Sequence, residues 1–376
     1  MSDIEVFICL ILLLMAVPDV CRKLGRPALA YSFFVLFGLL LNPVANADVA
    51  KMLMTAGKVG FLLLLFEVGL EIELPSFREF LRPLRFAFLW SVWQYPVIFL
   101  LAAVAGLGFG ESLFAAASLV GCSVGMAHAG WKQYPGLDEK TRRFILEVMV
   151  ALEMLVIVLL TLDVPALENG LNGLVFFKLL GMVVAVWLVS RFSRHFEKLF
   201  KVILERTTRW RVHFLVLLVL VICAIGERLG LSASKTAFFL GLFMSRTHHA
   251  GLGLEEYMAP VSQRFLIPVF FVGLGLQINW RMLFTVNTLI ALAAAFLLLG
   301  IREVMHRRWL KTGGDKNAFL LLCPNLTLVA LAASVMLEHD GSNRNATWLL
   351  LTGLFLTVSS LLMLPGGKEN KAAIAS

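Results

Sequence analysis

Residues 143–164 read RFILEVMVALEMLVIVLLTLDV. The stretch is apolar enough for a bilayer, starts at Arg142 and Arg143, and carries one carboxylate near its middle, Glu153. Ten helical residues separate Arg143 from Glu153. At a rise of about 1.5 Å each they cover about 15 Å, half of a hydrocarbon core about 30 Å thick. An acid at that depth is costly unless it is hydrated, paired or protonated, so it marks a functional site by default. The remainder of the chain is read outward from this helix.

The 376 residues are 59% hydrophobic and 15% charged, with a mean hydropathy of +0.85. Soluble domains carry about 25% charged residues, so this composition excludes one. Apolar runs recur at 4–21, 27–42, 49–71, 86–107, 111–130, 143–163, 171–190, 212–227, 232–246, 261–277, 281–303, 317–337 and 346–365. They predict an all-α membrane protein of about thirteen spans in one domain over 1–365, followed by a short polar tail at 366–376. The segment MSDIEVF holds acids and no base ahead of its apolar run, so it reads as a retained first span rather than a signal peptide.

The net charge of +8 points to topology, not to nucleic acid. With thirteen spans, one side collects Arg22, Lys23 and Arg26, then Arg78, Arg82 and Arg85, then Lys140, Arg142 and Arg143, the run 191–211, and Arg302, Arg307, Arg308 and Lys311. Lys51, Arg228, Lys235, Arg281 and Arg344 fall on the other side. Basic residues concentrate in cytoplasmic loops, which places the N-terminus outside and the C-terminus inside. The amphipathic run RFSRHFEKLFKVILERTTRWR (191–211) is either a helix lying on anionic lipid or a basic connector. Cys9, Cys21, Cys122, Cys223 and Cys323 suggest neither a disulfide framework nor a metal site. No nucleophile elbow, HExxH pair or phosphate-binding glycine loop is present, so neither an enzyme nor a cofactor is expected.

Residues 62–74 (LLLLFEVGLEIEL) match 266–278 (LIPVFFVGLGLQI) at Leu62/Leu266, Phe66/Phe270, Val68/Val272, Gly69/Gly273 and Leu70/Leu274. The predicted topology runs these segments oppositely through the membrane. Inverted repeats over about 4–163 and 212–365, joined by a linker helix at 171–190, follow from it. The same offset sets the fifth span, ASLVGCSVGMAHAG, against the twelfth, LLCPNLTLVALAA. Gly121, Cys122, Ser123 and Gly125 interrupt the first, and Pro324, Asn325 and Thr327 the second. Paired broken helices free backbone groups and half-helix ends for a small ion. Close packing of small residues is the plainer alternative.

The candidate ion- and proton-binding residues are therefore Glu153, Ser123, Asn325 and Thr327. A buried carboxyl can trade its proton for a cation when nearby oxygens replace the cation's water. Glu147, Glu67 and His128 are candidates for a proton pathway. For Glu67 a bond to a neighbour is the alternative, and for His128 a packing role. His248 and His249 lack metal partners at suitable spacing, and no metal is expected beyond a transported monovalent cation.

Several segments together carry a family resemblance. GRPALAYSFFVLFGLLLNP (25–43), GKVGFLLLLFEVGLEIELPSFR (57–78), LGLSASKTAFFLGLFMSR (229–246) and PVSQRFLIPVFFVGLGLQI (260–278) resemble motifs of the monovalent cation:proton antiporter family 2, the sodium/proton exchangers and potassium-efflux antiporters. The resemblance implies two crossed, unwound helices in a mobile core, a dimerisation panel, alternating access, and usually a homodimer. It implies Na⁺ or K⁺ and H⁺ as transported ions, and a multi-pass protein of the bacterial inner membrane. The family's ion-binding Asp falls on Glu153, with Leu152 in the preceding place. No Lys or Arg lies between Arg264 and Arg281, where electrogenic members hold a basic partner. Electroneutral exchange is the first expectation, and a non-transporting sensor or assembly protein on the same scaffold is the second.

Overall fold

The computed structural model describes residues 3–44, 46–71, 77–169, 211–228, 233–244, 248–249, 252–254, 258, 261–278, 280–311, 315–340 and 343–365. Its helices in chain order are α1 Asp3–Lys23, α2 Leu29–Leu41, α3 Ala47–Glu71, α4 Phe77–Val104, α5 Phe109–Leu119, α6 Val124–Gln133 and α7 Glu139–Asn169. They continue as α8 Arg211–Arg228, α9 Ala233–Met244, α10 Ile267–Gln277, α11 Val286–Arg308, α12 Leu326–Asp340 and α13 Asn343–Met363. A π-type turn, Ser262–Leu266, leads into α10, and a 3₁₀ turn, Ala318–Leu322, precedes α12. The predicted seventh span and nearly all of the basic run 191–211 lie outside the described residues, as does the tail.

The other twelve predicted spans each have a helical counterpart, and the fifth divides into α5 and α6. By length and composition, six stretches among the described residues can each cross a membrane: Asp48–Leu70, Leu81–Val104, Phe109–His128, Val286–Arg308, Ala318–Leu337 and Arg344–Met363. The chain is a multi-pass integral membrane protein. Helix α4 begins nine residues before the predicted 86–107, at Phe77. Hydropathy marks the lipid-facing length, whereas the backbone stays helical through Arg78, Arg82 and Arg85 into the interface. His248 and His249 pair antiparallel with Leu252 and Gly253.

The chain forms two compact units. The first comprises Met1–Leu14, Phe34–Pro75 and Asn169–Gln277. Its centre is α3, with α9 and α10 packed against it. Glycines let the backbones close up: a Cβ on Gly69 would run into the Phe238 carbonyl, and one on Gly241 into the Phe66 carbonyl. Gly38 and Gly275 form a second reciprocal pair, facing the carbonyls of Val272 and Val35. With lipid as apolar as leucine, such close approach is what holds membrane helices together.

The second unit comprises Met15–Phe33, Ser76–Glu168 and Ile278–Ser376. In it α4 packs on α5, α12 on α5, and α13 on both α11 and α12. Helix α5 starts with a capping arrangement in which the Gly108 N–H donates to Glu111 Oε2 at 2.9 Å. Glu111 also accepts from Asn345 Nδ2 at 2.6 Å. This unit contains both interrupted spans and Glu153.

Candidate functional site at the helix crossing

The chain gives up helix where the sequence has Gly121-Cys122-Ser123 and Cys323-Pro324-Asn325. Pro324 has no N–H to continue a ladder. Gly121 leaves room for nothing larger, since a Cβ would press on Val156 of α7 and Leu328 of α12. The two breaks meet. The Ser123 N–H donates to the Pro324 carbonyl at 2.7 Å, Cys122 Sγ to the Leu321 carbonyl at 3.3 Å, and Asn325 Nδ2 to the Leu119 carbonyl at 3.1 Å. Inside a bilayer each freed backbone group needs such a partner.

Two side chains then address the ends of the half-helices according to the sign of their dipoles. The N-terminus of α6 points the Val124 N–H at Glu153 Oε2, 3.0 Å away. Negative ends are met by Arg302 of α11, which is fully buried. Its Nη2 donates to the Leu119 carbonyl at 2.5 Å, and its Nη1 to the Leu322 and Cys323 carbonyls, each at 3.4 Å. Its Nε donates to Gln94 Oε1 at 2.8 Å, while Gln94 Nε2 is tied to the Trp90 carbonyl at 3.0 Å. None of these bonds goes to Glu153, so the acid and the guanidinium serve opposite dipole ends of one crossing.

Counting Arg302 with the inner-side loop charges is therefore corrected: it is a core residue of the second unit. Nor does the span without Lys or Arg between 264 and 281 mean that the crossing lacks a buried cation, because α11 supplies one. Gln94 was also missed. The signal for both was a strongly polar side chain set in an apolar run, Gln94 in SVWQYP and Arg302, followed by Glu303, in LLLGIREV.

Glu153 and Ser123 are fully buried, and Thr327 is 6% exposed. Glu153 Oε1, Ser123 Oγ and Thr327 Oγ1 are buried oxygens without a hydrogen-bond partner. The Ser123 hydroxyl is close enough to the Glu153 carboxyl to interact with it, but completes no hydrogen bond. A buried polar atom left unbonded costs about 1–3 kcal/mol, so three of them on the residues flanking one crossing call for an explanation. A carboxylate oxygen and hydroxyl oxygens are the donors a hard monovalent cation takes. Asn325 behaves differently: its amide is spent on Leu119, and its Oδ1 accepts from the Thr357 hydroxyl at 3.4 Å. It braces the crossing.

The remaining candidates are dispersed. Glu147 pairs with Arg143 one turn earlier, at 3.0 Å. His128 stacks on Trp131 with ring centroids 5.2 Å apart and is exposed. Glu67 belongs to the first unit, where it is buried and bonded to Ser262 and Gln263. Beyond α6, the Tyr134 hydroxyl donates to Asp315. Burial first, and then that bond, hold the phenol well above its usual pKa. No group of three or more His, Cys, Asp or Glu among the described residues is arranged to hold a metal.

The solved structure of the sodium proton antiporter MjNhaP1 from Methanocaldococcus jannaschii has the same fold. It superposes with a TM-score of 0.69 over 96% of this chain and 95% of its own, at 15% identity. In sequence, a probable Na⁺/H⁺ antiporter 3 of the same organism is 24% identical over 344 residues, 88% of this chain and 87% of that protein. An Na⁺/H⁺ antiporter of Enterococcus hirae is 24% identical over 296 residues, 73% of each. The family model for the transmembrane sodium/hydrogen exchanger matches residues 9–365. With two broken helices crossing beside a buried acid and that match along nearly its whole length, this chain belongs to the sodium/hydrogen exchanger family, membrane transporters rather than enzymes.

Proposed function

We propose that the protein exchanges a monovalent cation, Na⁺ or K⁺, for H⁺ by alternating access, with Glu153 carrying either ion. The observation that carries this reading is the division of labour at the carboxylate. Oε2 is held by the Val124 N–H, and Oε1 is buried and completes no hydrogen bond. The held oxygen keeps the ionised form stable when empty, and the other accepts a proton or a cation. Ser123 and Thr327 supply two further oxygens, neither engaged in a hydrogen bond, for the cation. Asn325 keeps the two breaks together.

The charge count supports an electroneutral cycle. Arg302 is a fixed positive charge, because guanidinium does not deprotonate in proteins. Bound H⁺ leaves the crossing with a neutral acid beside that charge, and bound Na⁺ leaves a neutralised carboxylate beside it. Both loaded states have equal net charge, so one-for-one exchange moves none across the membrane. The carboxylate at the crossing, with its orphaned oxygen, supports transport over a non-transporting role. The distribution of Lys and Arg supports an outside N-terminus and an inside C-terminus in a bacterial inner membrane, and the family supports a homodimer.

The test is exchange in proteoliposomes that carry a pH-sensitive dye and an imposed proton gradient. Adding Na⁺ or K⁺ is expected to collapse the gradient at a rate independent of a membrane potential clamped with ionophore. No collapse with either cation contradicts exchange, and a rate that follows the potential contradicts electroneutrality.

A further inference from the structure

Helix α6 is bonded to α7 at both of its ends. At its N-terminus the Val124 N–H donates to Glu153 Oε2 at 3.0 Å. At its C-terminus the guanidinium of Arg142, also on α7, gathers carbonyls that the end of a helix leaves free. Arg142 Nη1 donates to the Trp131 carbonyl at 2.8 Å and to the Lys132 carbonyl at 3.1 Å. Its Nη2 donates to the Tyr134 carbonyl at 3.0 Å. Trp131 returns a bond from Nε1 to the Arg142 carbonyl at 2.9 Å, and its ring centroid lies 5.7 Å from Arg142 Cζ. One helix thus sets a carboxylate on the positive end of the half-helix dipole and a guanidinium on the negative end.

The lengths agree. The ten residues of α6 rise about 15 Å, and the stretch of α7 from Arg142 to Glu153 rises about 16 Å. Helix α6 therefore lies antiparallel along α7 between two attachment points. A helix this short has little stability of its own, so its attachments decide where it lies. The N–H at its tip points along the axis, and a slide of about 1 Å stretches the bond to Glu153 out of hydrogen-bond range. The end of α6 has a second tether, the Tyr134 hydroxyl on Asp315, but that one leads toward the 3₁₀ turn before α12 and not to α7.

We infer that Arg142 is a positioning residue for the exchange site: by holding the carbonyl end of α6 on α7, it keeps the Val124 N–H on Glu153 Oε2. The inference rests on the reading of Glu153 as the carrier, and adds the residue that sets the hold on that carboxylate from the far end of the half-helix. Arg142 does not touch Glu153 and acts on it through α6. Charged side chains near Arg142 are Lys132 on α6, Asp138, Glu139, Lys140 and Arg143 at the start of α7, and Asp315, all exposed. At the crossing, the ionisable groups besides Glu153 are Cys122, Cys323 and Arg302.

Two readouts test it, the pH profile of exchange in proteoliposomes and the infrared titration of the Glu153 acid band, identified by its loss in Glu153→Gln. In Arg142→Gln both midpoints are expected to move alkaline by about half to one unit, because a loosened N–H no longer favours the ionised form. Arg142→Lys keeps the charge but cannot span three carbonyls, so it is expected to move them as Arg142→Gln does. Added to Val124→Pro, which already lacks the N–H, Arg142→Gln is expected to move them no further. Trp131→Phe keeps the guanidinium and an aromatic ring and deletes only the returned bond. It is expected to shift both midpoints in the same direction, and supplies the readout should the Arg142 variants not fold. Unmoved midpoints in Arg142→Gln, or in Trp131→Phe where that variant stands in, overturn the inference. Wild-type midpoints in Arg142→Lys overturn it by showing that charge alone acts, and a full additional shift on top of Val124→Pro overturns it by showing a path that bypasses the N–H. The infrared titration needs no transport. Exchange that is present with an unmoved Arg142→Gln titration therefore sinks this inference alone, and absent exchange with a moved titration sinks the exchange reading alone.

Discussion

The Val124 N–H and Glu153 Oε2, 29 positions apart in the chain, are joined by a 3.0 Å hydrogen bond at the N-terminus of a half-helix. Oε2 is thereby committed while Oε1 completes no hydrogen bond. The bond exists only because α5 stops at Leu119 and α6 restarts at Val124. An unbroken helix would have used that N–H internally.

Val124→Pro removes this donor with little backbone disturbance. Proline is favoured at the first helical position, and Ser123 before it is already extended at φ −90° and ψ 118°, as a residue preceding proline must be. A hydrogen bond to a charged acceptor is worth about 1.5–3 kcal/mol. Losing it favours the protonated acid, so the pH of half-maximal exchange is expected to move alkaline by about one to two units. The pH profile in proteoliposomes checks this, with thermal melting as the folding control. An unmoved profile contradicts the role given to the bond.

Ser123→Ala and Thr327→Ala separate stability from function. Each deletes a buried hydroxyl that completes no hydrogen bond within the protein, so folding is expected to be unchanged or slightly improved. Cation binding loses an oxygen, and the apparent KM for the cation is expected to rise about tenfold, corresponding to about 1.4 kcal/mol. Reduced melting temperature with unaltered KM is the opposite pattern and removes these residues from the site.

Arg302→Met strands the carbonyls of Leu119, Leu322 and Cys323 and the Gln94 side chain in a dry core. Removing one partner from a buried charged network costs about 3–5 kcal/mol. A marked fall in melting temperature and yield is expected. Arg302→Lys is expected to recover only part of it, because a compact ammonium does not span acceptors arranged for a fork. Full recovery with lysine contradicts the geometric argument.

Much of this architecture was legible from composition alone. Apolar length located twelve described spans, and one acid at the right depth in an apolar helix located Glu153. The breaks at Gly121 and Pro324 announced themselves by residue type. What could not be read was which polar group answers which. Arg302 reads as the first of the inner-side bases because it precedes Arg307 and Arg308 by about one and a half helical turns. Its partners, Gln94 and the Leu119 carbonyl, lie roughly 200 positions away, beyond any local pattern. Asn325 has the chemistry of a ligand, yet the crossing takes its amide for the Leu119 carbonyl.

Gly38→Ala and Gly275→Ala probe the packing of the first unit. A methyl at either position runs into the carbonyl of the facing helix, and overpacking typically costs about 1–3 kcal/mol. Each variant is expected to lower the melting temperature, and the double variant should not simply add, since the two sites face one another. Wild-type melting in both singles contradicts the close approach.

The central claim is that Glu153 carries both ions, and uptake of radioactive Na⁺ into acid-loaded proteoliposomes tests it most directly. Wild type is expected to accumulate Na⁺ as protons leave. Glu153→Gln, folded and reconstituted to the same level, is expected to show uptake indistinguishable from empty liposomes. Proton-coupled uptake by Glu153→Gln at the wild-type rate contradicts the account.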